Sequence, residues 1–100
     1  MVEVRQTERF VRWLEGLLDL RDRAKVLARI ERLIGGNPGD VRPVGSGVSE
    51  LRINYGPGYR VYYLQRGTTL IILLAGGDKS SQVKDIGEAL LLAANLAEET

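Results

Sequence analysis

Two arginines and a lysine are the residues of this sequence best suited to chemistry on a negatively charged group. Arg52 and Arg60 lie in segments that a turn at Gly56–Gly58 would join as antiparallel strands, so their side chains can lie close together. Adjacent guanidiniums repel unless an acid or anion lies between them, and their forked donors fit phosphate oxygens. We therefore predict an anion site here. In the alternative, Arg52 pairs with Glu50 or a helix acid, and Arg60 is only solvated.

Lys79 lies in the segment Gly76–Gln82, GGDKSSQ, which joins an apolar strand to a helical pattern. Its glycines are expected to let the backbone turn, and Ser80 or Ser81 to cap the helix, whose first N–H groups attract anions. If the strand ends meet at one edge, Lys79 joins the two arginines in a phosphate-binding cleft. In the alternative, Asp78 and Ser80 make only turn and capping bonds, and Lys79 is solvated.

Composition limits the chemistry that these residues could perform. The 100 residues include 14 basic and 13 acidic ones, and neither cysteine nor histidine is present. Thiol catalysis and cysteine-ligated zinc are excluded, and the usual acid–base group at neutral pH is missing. We predict no metal and no cofactor, so catalysis would depend on arginine, lysine, tyrosine, carboxylates or hydroxyls.

Charge and aromatic residues are concentrated in the middle of the chain. Residues 37–67 carry four arginines, Arg42 among them, against two acids, which predicts a local basic patch. Tyr62 alternates onto the Arg60 face, where its ring could stack on an unpaired base, whereas Tyr59 and Tyr63 are expected in the core.

The hydrophobic pattern predicts one α+β domain over residues 1–100. A short strand at 2–6 leads through the N-cap Thr7 to a helix over about 8–18. Asp19 caps a second helix, which Gly35–Gly39 stops. Residues 40–47 are predicted to be an irregular loop. Strands at 49–53, 59–66 and 70–74 then form a three-stranded antiparallel meander, and a last helix runs to about Leu96.

No membrane segment is expected. The N-terminus, MVEVRQTERF, carries charges where a signal peptide is apolar, and no run approaches the roughly 20 apolar residues of a spanning helix. We predict a soluble, cytoplasmic protein.

Three segments, together with this element order, resemble a known family. They are SELRI (49–53), GPGYRVYYLQRG (56–67) and LLAGGDKSSQVKDI (73–86). They are similar to the RelE/ParE superfamily of type II toxin–antitoxin toxins, and most similar to its HigB-like, Gp49-like "addiction module killer protein" branch. The resemblance implies a RelE-like fold, a cognate antitoxin that is a helix-turn-helix protein from the neighbouring gene, and no membrane partner.

The same resemblance implies site residues. The arginine in the family's Tyr-Arg-hydrophobic-hydrophobic-Tyr strand corresponds to Arg60 here. The arginine of the Leu-Arg pair in the preceding strand corresponds to Arg52, and the basic residue after the last strand corresponds to Lys79. These three are the predicted catalytic residues. The predicted RNA-binding residues are Arg42, Tyr62, Asp78, Ser81 and Gln82.

Two functions are compatible with this resemblance. RelE-like and HigB-like members cleave mRNA in the ribosomal A site without a metal, which would make the chain a translation-inhibiting endoribonuclease whose partners are ribosome and mRNA. The alternative is a non-nucleolytic binder, either a ParE-like gyrase inhibitor or a toxin-fold protein that complexes its antitoxin. RelE-type lysines are replaced here by Val48 and Glu50, so the general base stays open among Glu50, Asp78 and a lysine.

Overall fold

A computed structural model of the chain describes residues 2–98, whose strands form one five-stranded sheet in the order β1-β5-β4-β3-β2. β1 is parallel to β5, and the other neighbours are antiparallel. The predicted α+β class is confirmed. The elements are β1 (Glu3–Gln6), α1 (Glu8–Glu15), α2 (Leu20–Ile34), β2 (Val41–Gly45), β3 (Val48–Ile53), β4 (Tyr59–Arg66), β5 (Leu70–Asp78), a 3₁₀ turn (Lys79–Ser81) and α3 (Gln82–Glu98).

The two helices of the hairpin begin at the predicted caps. The Thr7 hydroxyl accepts from the Phe10 amide at 3.1 Å, and the Asp19 carboxylate accepts from the Arg21 amide at 2.8 Å. The prediction that α1 extends to residue 18 is wrong, because the helix ends at Glu15 with Gly16 as its C-cap. None of the helices between residues 2 and 98 is both long and apolar enough to cross a bilayer.

A fourth antiparallel strand replaces the predicted loop at 40–47. β2 pairs with β3 from Val41 onward, so the meander has four strands instead of three. Pro43 argues against a strand in the sequence, but β2 is an edge strand, where a proline is tolerated because one side of its backbone needs no partner. The pairing is irregular between Pro43 and Gly45, which is where the strand ends.

Helices on both faces of the sheet create two apolar cores. The hairpin side is centred on Phe10, Val26 and Leu51, which are fully buried. The α3 side is centred on Tyr62, Leu74 and Ala89, which are also fully buried. Successive strand residues point to opposite faces, so β4 and β5 must be apolar on both.

Gly76 and Gly77 lie inside β5, so the prediction that they turn the chain is wrong. Neither glycine has a positive φ. A Cβ on Gly76 would collide with the Trp13 ring of α1, and a Cβ on Gly77 would collide with the Asp85 carboxylate of α3. The adjacent glycines therefore let one helix approach the strand on each face.

We expect Gly76→Ala to lower the free energy of unfolding by about 1–3 kcal/mol, the usual cost of overpacking. Gly77→Ala should be destabilising for the same reason. Gly87→Ala is the matched control, since nothing lies within 4 Å of its added methyl group, and alanine in a helix gains about 0.5–1 kcal/mol over glycine. Urea denaturation of the three variants measures the difference. Equal stability of Gly76→Ala and the parent would contradict the close-approach explanation.

Tyr59 connects the sheet to the hairpin. Its hydroxyl donates to the Asp22 carboxylate of α2, and its ring lies edge-on to Trp13 with centroids 6.2 Å apart. The hydrogen bond to Asp22, together with burial, raises the pKa of Tyr59 to about 12.

This shift predicts a loss of stability in alkali. The neutral phenol is favoured in the folded state, so the contribution of Tyr59 is complete below its ordinary pKa of 10.0 and is lost as pH rises from there through about 12. Tyr59→Phe should be less stable than the parent at pH 8, and the gap should narrow towards pH 12. Urea midpoints of both proteins between pH 8 and pH 12 test this prediction. A difference in stability that stays constant over this range would refute it.

Candidate functional site

The two predicted arginines are direct neighbours on the sheet. Arg52 of β3 and Arg60 of β4 are register partners, and the next strand continues the row with Gly77. On the other side, the Arg52 amide donates to the Asp40 carbonyl oxygen at 2.9 Å. The predicted closeness of the arginines is therefore confirmed, and a row runs across three strands to Asp40, the residue before β2, on the face that α3 partly covers.

One end of this row opens into a cleft of about 310 Å³. Gly58, at φ +81°, separates two of its cations: the position of an added Cβ there is 3.4 Å from Lys79 Cβ and 3.9 Å from Arg60 Nη1. A β-carbon at this position would contact both, and the positive φ disfavours any residue other than glycine. The cleft is lined by Asp40, Arg52, Asn54, Gly58, Arg60 and Lys79.

The three cations are only partly neutralised. Arg52 Nε lies 3.5 Å from Asp40 Oδ2, and Arg60 Nε lies 3.9 Å from Glu50 Oε2. The Arg60 Nε atom is buried and makes no hydrogen bond. Lys79 is exposed and forms no ion pair with any residue of the described range 2–98. The cleft therefore retains positive charge for an anion, and Lys79 is its exposed cation.

A buried carboxylate lies directly behind these cations. Glu50 has no exposed surface; its Oε2 accepts from the Tyr62 hydroxyl at 3.0 Å and from Gln82 Nε2 at 2.9 Å, whereas Oε1 has no partner. Arg60 is close to the same Oε2 atom, and only 12% of its side chain is exposed. Glu50 thus ties β3, β4 and α3 together beside the cleft and restrains Arg60.

Tyr62 is part of this buried group, so its expected role as an exposed stacking partner does not match its position. Its ring has no solvent-exposed surface. Burial first, and then the hydrogen bond to Glu50, raise the pKa of Tyr62 well above its ordinary value. Alternation along β4 correctly put Tyr62 on the Arg60 face. It could not show that α3 covers that face at Tyr62 and leaves it open at Arg60.

Asp78 and Ser81 stabilise the start of α3. Asp78 Oδ1 accepts from the Ser80 amide at 2.8 Å and from its hydroxyl at 2.5 Å, and this side-chain bond is the main reason that the pKa of Asp78 is lowered. The Ser81 hydroxyl donates to Asp85 at 2.5 Å. Asp78 caps the 3₁₀ turn Lys79–Ser81 that precedes α3, and the Ser81 hydroxyl completes the capping box by accepting from the Asp78 amide. The turn-and-capping alternative thus describes these side chains.

Arg42 and Gln82 line a second groove of about 310 Å³ beside the first. Arg42 is exposed and is the register partner of Glu50, one row further along the sheet from Arg52. Gln82 reaches from α3 to the Glu50 carboxylate and is thereby held in place. Of the predicted RNA-binding residues, Arg42 has the most accessible charge.

A larger cleft, about 470 Å³, lies between α1 and α3. It lies over the end of β5 that β1 does not pair with. It contains Arg9 and Arg12, but the first lies 3.8 Å from Glu88 and the second 3.2 Å from Glu8. Asp78 and Asp85 also line it. The cleft lined by Arg52, Arg60 and Lys79, hereafter the cationic cleft, is smaller. It has three cations and one acid, so we regard it as the better anion site.

Sequence reasoning missed two residues that shape the cationic cleft. Asp40 was assigned to an irregular loop, and the register of β2 was needed to place it beside Arg52. Arg29 of α2 donates to the Arg52 carbonyl at 2.7 Å and to the Pro38 carbonyl at 2.8 Å. An arginine on a helical face gives no sequence signal for such contacts. Burial is the main reason that the pKa of Arg29 is lowered.

Comparison with known proteins identifies relatives of this chain. A family model described as "Phage derived protein Gp49-like (DUF891)" matches residues 12–96. A protein of Haemophilus influenzae, whose printed name states no function, is 50% identical over 95 residues, which cover 95% of this chain and 96% of that protein. No solved structure gives a significant match.

The buried group of Glu50, Tyr62 and Gln82 predicts that the protein loses stability when one hydrogen-bond donor to Glu50 is removed. Tyr62→Phe leaves the Glu50 carboxylate with one fewer hydrogen bond and should lower the free energy of unfolding by about 1–3 kcal/mol. Tyr55→Phe is the matched control, because Tyr55 is only half-buried and its hydroxyl makes no hydrogen bond with residues 2–98. Chemical denaturation compares them, and equal losses would show that Tyr62 contributes nothing through Glu50.

Proposed function

We propose that this chain, which belongs to the Gp49-like family of phage-derived proteins, is the toxin of a toxin–antitoxin module and cleaves mRNA on the ribosome. Family membership supports the toxin-like module role. The observation that supports the nuclease chemistry is the cleft in which Arg52, Arg60 and Lys79 meet. The proposed reaction is metal-independent and uses the 2′-hydroxyl of the RNA as the nucleophile.

The cleft suits the charge that develops in this reaction. When a 2′-oxygen attacks the adjacent phosphate, the five-coordinate phosphorus gains negative charge on its free oxygens. Arg52 and Arg60 would bind these oxygens from the sheet, and Lys79 would approach from the start of α3. Preorganised donors stabilise such a state without reorganising at the moment of reaction, and Glu50 restrains Arg60 for this purpose.

The RNA backbone would continue into the groove beside the cleft. Arg42 is exposed there, next to Pro43 and Val44, and would bind a neighbouring phosphate. Because Tyr62 is buried, base stacking has no part in this proposal. Binding would then depend on phosphate contacts, which position RNA without selecting its sequence.

Ribosome dependence follows from what the cleft lacks. The chain has no histidine to move protons at neutral pH, and its formal charge is only +1, which gives little general attraction to RNA. A ribosome that holds the mRNA in an attack-ready geometry could supply several kcal/mol, up to roughly 7–11 for ideal orientation. Naked RNA should therefore be a poor substrate.

An antitoxin is the second partner that we propose. Leu18, Leu20 and Leu27 of the helical hairpin are 87%, 74% and 40% exposed, and three such leucines within ten residues offer apolar surface to a partner. A partner segment with an apolar face would cover them. The hairpin lies on the sheet face opposite Arg60, so this contact would leave the cleft open unless the antitoxin also extends round the sheet.

Substitution of the cleft cations tests the nuclease proposal. Arg60→Ala should lower cleavage of a message on programmed ribosomes by about 10²–10³, the scale of losing one transition-state donor. Lys79→Ala should also lower cleavage. Because the Lys79 side chain is exposed, this variant should fold as the parent does. Arg66→Ala is the matched control. Arg66 is exposed on the same strand as Arg60, and its substitution by alanine removes the same charge.

Primer extension on the message, with and without ribosomes, measures cleavage in each variant. Equal cleavage with and without ribosomes would reject ribosome dependence. Full activity of both Arg60→Ala and Lys79→Ala would reject this cleft as the site. A folded parent that arrests growth but cleaves no message would favour the gyrase alternative.

A further inference from the structure

The proposed site has cations, but both carboxylates considered from the sequence are unsuitable as its base. Glu50 has no exposed surface, and its Oε2 already has two donors. Asp78 Oδ1 accepts two hydrogen bonds from Ser80 at the start of α3. Neither residue lines the cationic cleft. The proton of an attacking hydroxyl therefore needs another acceptor.

Asp40 is the only acid among the described residues that line this cleft. Its side chain is 58% exposed, so a substrate can reach it. Its Oδ2 lies 3.5 Å from Arg52 Nε, and its carbonyl oxygen accepts from the Arg52 amide at 2.9 Å. The carboxylate is thus beside the cation that would hold the reacting phosphate.

The backbone that carries Asp40 is well held. Arg29 bridges the Pro38 carbonyl, at 2.8 Å, and the Arg52 carbonyl, at 2.7 Å. Gly39 has φ +77°, and an added Cβ there would lie 3.0 Å from Arg29 Nη2, so the chain passes directly over this guanidinium. The backbone of Asp40 is therefore held relative to Arg52, which keeps its carboxylate near the cations that would bind the phosphate.

We propose that Asp40 is the general base that removes the proton from the 2′-hydroxyl, an assignment that rests on the proposed nuclease function. The 2′-oxygen forms a bond to phosphorus, and its proton passes to the Asp40 carboxylate. The bond from phosphorus to the 5′-oxygen breaks, and that oxygen takes a proton from the Lys79 ammonium or from water. The products are a 2′,3′-cyclic phosphate and a 5′-hydroxyl, and solvent restores both side chains.

The charge of Asp40 distinguishes this role from a structural one. A carboxylate beside Arg52 repels the phosphate in the ground state, so its neutral amide should bind RNA as well as or better than the parent does. A group that acts only in the transition state, as a general base does, should lower the rate while binding is retained. A residue that merely supports Arg52 should weaken both.

The experiment uses the full chain on programmed ribosomes. Asp40→Asn should slow single-turnover cleavage by about 10²–10⁴, the range for losing a general base, and Asp40→Glu should recover part of the rate. The dissociation constant for a message with a 2′-O-methyl group at the cleavage position should be unchanged or lower. Glu31→Gln, an exposed acid of α2, is the charge-matched control and should alter neither value.

A second substrate separates base from acid. In a message with a 5′-sulfur leaving group the departing atom needs no proton, so the loss in Asp40→Asn should persist if Asp40 is the base. Recovery of the rate on this substrate would reassign Asp40 as the acid and overturn the proposal.

The other outcomes are equally decisive. Cleavage by Asp40→Asn within threefold of an active parent would overturn the assignment while the nuclease function stands. Weaker binding of the methylated message, in proportion to the lost rate, would make Asp40 a support for Arg52 instead of a base. A parent that cleaves no message would refute the nuclease function itself, which is a different failure.

Discussion

The buried Glu50 carboxylate is the interaction on which the arrangement of the site depends. A charge with no access to water is costly unless it is hydrogen-bonded, and here the donors come from β4 and from α3. Those donors fix where α3 begins to cover the sheet. On one side of Glu50 the same face is a closed apolar core around Tyr62, and on the other side it is the open cationic cleft.

The register of the sheet converts this constraint into a functional arrangement. Cross-strand neighbours of an antiparallel sheet are about 5 Å apart, so one row collects groups that are distant in sequence. Asp40, Arg52 and Arg60 form one such row, and Arg42, Glu50 and Tyr62 form the next. Glu50 in the second row lies beside Arg52 and 3.9 Å from Arg60, which offsets the repulsion of the two adjacent arginines without filling the cleft.

Much of the fold was predictable from local signals. Caps at Thr7 and Asp19, the helical spacing of apolar residues and the alternation along β3 and β4 are all properties of short segments. The two caps, the existence of both hairpin helices and the strands β3 and β4 are confirmed, whereas the end of α1 and the exposure of Tyr62 are not. The two central arginines were also predictable, because one turn and one register bring Arg52 and Arg60 together.

The remaining features depend on tertiary contacts that a single sequence does not display. Pro43 conceals β2, since only its place at the sheet edge makes the proline acceptable. Gly76 and Gly77 suggest a turn, because nothing local shows that Trp13 and Asp85 come to rest against them. Asp40 and Arg29 were missed at the site for the same reason, since their partners lie on other elements.

The parallel pairing of β1 with β5 has a consequence for how the chain folds. Thr7 and Leu74 are joined across 67 positions, and β1 pairs with residues 70–73, whereas β2 to β5 follow one another in a local meander. Long-range pairing must overcome loop-closure entropy before it is rewarded, so high contact order slows folding. The meander that carries Asp40, Arg52 and Arg60 can form by short hairpin steps. The pairing of β1 with β5 completes the sheet only when the two ends of the chain meet.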